Sequence, residues 1–215
     1  MKRITLAIFA GLLLLGSGCR WGGISGNGHV TTEQRNITTF SELQADGGFK
    51  IEWRAGAPSL SITTDQNLLP YIESRNAGNQ LVLHTRQSLW STHGIKVVVS
   101  SPTRLAAKFH GAADLTANAL SGSRFALQSS GAADITLDGV VDELLLDMTG
   151  ASNLRAKDLQ AKTVQISATG AADVTISVSE TLRVSVTGAG DVKYYGNPPT
   201  IEKHVTGAGS IRHKD

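Results

Sequence analysis

The chain places an oxygen-bearing side chain at a fixed point in a recurring phrase. Asp114, Asp134, Asn153, Asp173, Asp191 and Ser210 each stand three residues after a Gly, in GAADLT, GAADIT, GASNLR, GAADVT, GAGDVK and GAGSIR. Stacked carboxylates repel one another, and a cation held by oxygen ligands at about 2.3–2.6 Å would relieve that repulsion. Asn and Ser bond to backbone without adding charge. Their presence in the same column favours the plainer reading, turns of the Asx and ST type bonded to nearby N–H groups. A hydroxyl column, Ser130, Thr149, Thr169, Thr187 and Thr206, stands immediately before the Gly, and Thr116, Thr136 and Thr175 stand two residues after the Asp. A flat hydroxyl array suits ordered water or a polysaccharide, although Thr is also a good exposed strand residue.

Other reactive types are scattered. The six His are 29, 84, 93, 110, 204 and 213, and none forms HExxH or another close metal pair. His110 stands in the Ser/Thr column and reads as a surface substitute there. Asp138, Asp142 and Glu143 fall in one short stretch. Two carboxyls about 5 or 6.5–9.5 Å apart would suit glycoside hydrolysis, whereas a short acidic loop is ordinarily just solvated. GxSxG and phosphate-loop patterns are absent. The single Cys excludes internal disulfides and Cys-based zinc sites. The expectation is therefore no catalytic residue, no cofactor and no metal.

These residues need a scaffold with the same period. The Gly of each phrase falls at 111, 131, 150, 170, 188 and 207, spacings of 20, 19, 20, 18 and 19 residues. Four columns around the Gly are mostly apolar and share one parity. The one four residues after it reads Leu115, Ile135, Leu154, Val174, Val192 and Ile211, and the one six before reads Leu105, Phe125, Leu144, Val164, Leu182 and Ile201. Period-two alternation indicates strands with one buried face. A repeat this short without a helix buries its apolar face only by stacking on its neighbours. The predicted fold is all-β: a right-handed parallel β-helix (β-solenoid) with coils of about 18–20 residues, ladders about 4.8 Å apart and Gly at the corners.

The segment before the repeat has another texture. Residues 40–53, 60–65, 80–85 and 95–100 read as strands, and 67–74 as one or two helical turns. We expect residues 36–215 to be one domain, with 36–105 its irregular start and cap and 106–215 its regular repeats.

The first residues are an address. MKRITLAIFAGLLLLGSGC combines a basic start, an apolar run too short to span a bilayer, and small residues before Cys19. This resembles a bacterial lipobox, although Gly16 stands where Leu is usual. It implies a signal peptide over 1–18, removal of that segment, and acylation of Cys19, palmitate included. Arg20 rather than Asp after the Cys suggests outer-membrane sorting. Residues 19–35 then read as the lipidated Cys and a flexible, Gly-rich tether. Without Lys2 and Arg3 the 20 basic residues become 18, balancing 18 acidic ones, so no nucleic-acid partner is expected.

The stretches FSELQADGGFKIEWRAG (40–56), LSITTDQNLLPYIESRNAGNQLVLHT (60–85) and IKVVVSSPTRLAAKFHGAADLT (95–116), with the GAAD and GAGD phrases, resemble the bacterial head GIN domain proteins, or putative auto-transporter adhesins. The likeness spans about 36–212. It implies a β-helical fold and export to the envelope, and it brings no catalytic residues. The expected function is a non-enzymatic envelope lipoprotein, held to the membrane by its lipid anchor, whose surface contacts a protein or glycan ligand. Alternatives are a carbohydrate-active enzyme using Asp138, Asp142 or Glu143, and an envelope assembly component forming homo-oligomers through its solenoid ends.

Overall fold

The computed structural model describes residues 22–215; the signal segment and Cys19 lie outside them. The strands are β1 (Gly23–Ser25), β2 (Val30–Arg35), β3 (Glu42–Asp46), β4 (Phe49–Ala55), β5 (Ser59–Asp65), β6 (Ile72–Ala77), β7 (Gln80–Thr85), β8 (Ser88–Trp90), β9 (Ile95–Ser101), β10 (Ala106–Gly170), β11 (Asp173–Gly188), β12 (Asp191–Tyr195), β13 (Thr200–Gly207) and β14 (Ser210–His213). Among the described residues there is no α-helix; the stretch expected as helical turns is one 3-10 turn, Leu69–Tyr71, leading into β6. The fold is all-β, and β10 runs continuously over several repeats.

The repeats pair in parallel and in phase. Leu154 lies beside Val174, Val174 beside Val192, and Val192 beside Ile211. Thr169 aligns with Thr187, and Thr187 with Thr206. The short spacing of 18 is absorbed by register shifts between Ala156 and Gln160 and between Ala161 and Thr163. Corner glycines sit in the left-handed region. At Gly131 (φ +130°) an added Cβ would stand 2.3 Å from the carbonyl oxygen of Gly111. Only Gly allows that approach.

The inward columns form one core. Leu115, Ile135, Leu154, Val174 and Val192 are buried, as are Phe125, Leu144, Val164 and Leu182. Leu105 departs from its column and is partly exposed, while neighbouring Arg104 is buried and donates to the carbonyls of Trp53, Asn118 and Ala119. Trp53 stacks on Phe40 at 5.9 Å and meets Phe125 at 6.3 Å. At the far end no described residue covers the last repeat. Ile201 and Val205 are 41% and 39% exposed.

The N-terminal section is threaded out of order. Strands β3 and β4 lie in parallel register with the start of β10, Ala106 beside Glu42 and Ala113 beside Phe49. Their other edges pair in parallel with β7 and β9. Residues 42–55 thus sit between the later segment 80–101 and the repeats. Beyond these, β6 pairs antiparallel with β7, β5 with β9, and β2 with β5. That antiparallel layer closes this end.

The expected tether is corrected in part. From residue 23 to 35 the chain is largely strand: β1 pairs with β8, and β2 with β5. Asp65 fastens this piece. Its buried carboxylate accepts from the backbone N–H of Gly28 (2.8 Å) and Thr92 (2.9 Å) and from the hydroxyls of Ser91 and Thr92 (both 2.8 Å). Burial pushes its pKa up, but the four hydrogen bonds outweigh that and hold it far below the usual carboxylate range.

Candidate functional site

Parallel stacking brings the Asp column together on one outward face. Asn153 donates its side-chain amide to Asp134 Oδ1 at 3.0 Å, and Arg155 reaches the same oxygen at 3.3 Å. Asp173 Oδ1 accepts from the backbone N–H of Asp191 at 3.3 Å. Ser210 donates its hydroxyl to Asp191 at 2.5 Å. The Ser210 hydroxyl, opposed by partial burial and aided by the charges of Arg212 and Lys193, holds Asp191 below its ordinary pKa. Asp114 lies in register with Lys50.

Where these side chains bond, the link runs from one rung to the next: Asn153 to Asp134, the Asp191 N–H to Asp173, and Ser210 to Asp191. Beside the column runs a groove of about 390 Å³, lined by Asp114, Asp134, Asn153 and Asp173 and by small corner residues such as Ala132 and Ala151. Thr149, Thr169, Thr187 and Thr206 are exposed along the neighbouring edge, with Thr116 exposed and Thr136 and Thr175 half-buried.

The three clustered carboxylates do not converge. Asp138 accepts from the Ala119 N–H at 2.6 Å, Asp142 pairs with Lys162 at 2.7 Å, and Glu143 pairs with Arg124 at 3.5 Å. Among the described residues no three His, Cys, Asp or Glu side chains are placed to hold a metal ion. His93 contacts Thr92, His204 contacts Thr206, and His213 bonds to the Gly196 carbonyl.

One cluster was not anticipated. Strand register aligns His84, Asp46 and His110 side by side across β7, β3 and β10. With Gln87, Trp90 and Ala112 they line a groove of about 550 Å³. These residues are far apart in sequence, and the pairing of β3 between β7 and β10 carries no local signal.

Fold and site together define an all-β protein built from repeated parallel rungs that carry an outward polar ladder. Residues 39–198 match the family described as putative auto-transporter adhesin, head GIN domain, and the chain belongs to that family. No curated protein matches it in sequence. Its fold is shared by a putative adhesin from Bacteroides fragilis, with TM-score 0.73 and 20% identity over 89% of this chain and 100% of that one. It is similar also to a putative adhesin from Parabacteroides merdae (TM-score 0.56, 17% identity, 90% of this chain and 99% of that one). A third similar structure is a putative lipid binding protein from Parabacteroides distasonis (TM-score 0.52, 20% identity, 90% and 100%). Among the described residues no helix is long and apolar enough to cross a membrane.

Proposed function

We propose that this chain is a non-enzymatic binding module of the bacterial cell envelope, held to the outer membrane by acyl chains on Cys19. Its repeats wind as a right-handed parallel β-helix, the hand that parallel connections adopt almost without exception. The outward Asp and Thr columns, from Asp114 to Asp191 and from Thr149 to Thr206, are its contact surface. The observation that carries this reading is the in-phase column of Asp134, Asn153, Asp173, Asp191 and Ser210, with bonds between neighbouring rungs at Asn153–Asp134, Asp191–Asp173 and Ser210–Asp191. A rigid row of equivalent groups makes many weak contacts at one spacing, and such contacts reinforce one another. The descriptions of the family and of two similar structures as adhesins agree with it.

Binding of the full chain to immobilised mucin, fibronectin and collagen tests the surface. Attachment to one of them, weakened at least tenfold by combining Asp134→Ala, Asp173→Ala and Thr169→Val, supports it; unchanged attachment rejects it. Palmitate labelling of the Cys19→Ser variant tests the anchor, and retained label and membrane association would reject that part.

A further inference from the structure

The groove across β7, β3 and β10 lies outside the ladder and has its own chemistry. At about 550 Å³ it falls within the usual range of small-molecule sites, about 300–1,000 Å³. Its polar groups are few and of complementary kinds. Asp46 stands in the middle row, flanked in register by His84 and His110. Gln44 donates to Asp46 Oδ2 at 2.9 Å, whereas Oδ1 is covered and has no hydrogen-bond partner. Gln87, Thr85 and Ser88 add further donors and acceptors on the rim.

The other wall is apolar. Leu89 and Ile95 contribute, and Trp90, half exposed, places its indole over the α-carbon of Gly23. Gly at position 23 makes room for the ring. Strand β1, paired with β8 from Gly23 to Ser25, holds that wall in place.

We propose that this groove binds a neutral pyranose, as a free sugar or as the terminal unit of a glycan. Among the described residues that line it there is no Lys or Arg, and its polar side chains are those of a site for hydroxyl groups. Its His and Asp side chains are not placed to hold a metal ion. A carboxylate oxygen lacking a donor, two imidazoles and a primary amide are matched by a ligand rich in hydroxyls. The C–H face of a pyranose fits an indole, whose π face is electron-rich. Both His side chains are exposed; binding would bring a sugar hydroxyl to Asp46 Oδ1, which is covered in the free protein. The Asp and Thr ladder takes no part, so the inference stands whether or not the ladder binds a partner.

The test uses saturation-transfer NMR of the full chain in a zwitterionic, sugar-free detergent. The probes are the methyl glycosides of glucose, galactose, mannose and N-acetylglucosamine. We expect transfer to at least one, with affinity falling tenfold or more in both Trp90→Ala and Asp46→Asn while Glu180→Gln, on a remote exposed edge, binds as the wild type. Circular dichroism confirms that each variant is folded. If Trp90→Ala loses β1, Asp46→Asn with Gln87→Ala decides. Absence of transfer from all four glycosides, or binding indifferent to these substitutions, overturns the proposal.

Discussion

Gly150 lies with its α-carbon against the carbonyl of Gly131 one rung earlier, so close that an added Cβ would stand 2.3 Å from that oxygen. The obstacle is backbone and cannot swing away, and φ at Gly150 is +114°, where side chains are strained. Gly150→Ala should therefore cost about 2–3 kcal/mol, seen as a lower urea midpoint. A midpoint equal to that of the wild type would mean that the corners do not stack this closely.

Core and surface should separate cleanly. Phe125 is fully buried against Trp53, while Val140 is 64% exposed. Phe125→Ala should destabilise by about 3–5 kcal/mol and Val140→Ala by no more than about 0.5 kcal/mol, both measured by equilibrium unfolding.

Asp65 links acid stability to the closed end. Its folded pKa lies below its unfolded value of about 3.9. The stability it contributes is complete above that unfolded value and is lost as pH falls from there toward the folded pKa. Asp65→Asn should lower the melting temperature at pH 7 and flatten its decline between pH 4 and pH 2. Hydrogen exchange in the same variant should rise first in 23–35, because the donors Asp65 holds bind that segment to the loop at 91–92.

The open end is guarded by a charge. Lys203 occupies an inward column on β13, sits over the Tyr194 ring at 4.6 Å and reaches its hydroxyl at 3.1 Å. An inward-pointing charge on an exposed strand discourages pairing with another copy. Lys203→Val should join its apolar surface to Ile201 and Val205, and produce concentration-dependent association in sedimentation velocity. A variant that sediments as the wild type at every concentration would refute this guarding role.

Much of the repeat region was legible in the residues themselves. Its period, its Gly corners and the inward set from Leu115 to Val192 follow from alternation and spacing, because each rung repeats the one before. The same columns misled at the ends. Ile201 and Val205 match the pattern yet are exposed, since burial needs a covering rung and no described residue supplies one there. Leu105 matches too, yet Arg104 takes the interior by bonding three carbonyls.

Before residue 106, only tertiary structure decided. The primary structure marked the stretches that hold β3, β4, β5, β7 and β9, but neither β1, β2, β6 and β8 nor the order of any of them in space. Placing 42–55 between 80–101 and the repeats depends on pairing segments up to 64 residues apart, and period-two patterns are blind to partners. That threading turned the expected tether into strands, surrounded Asp65 with donors, and set His84, Asp46 and His110 in one row. Local alternation says which face of a strand is buried; which neighbour it meets is settled by long-range register alone.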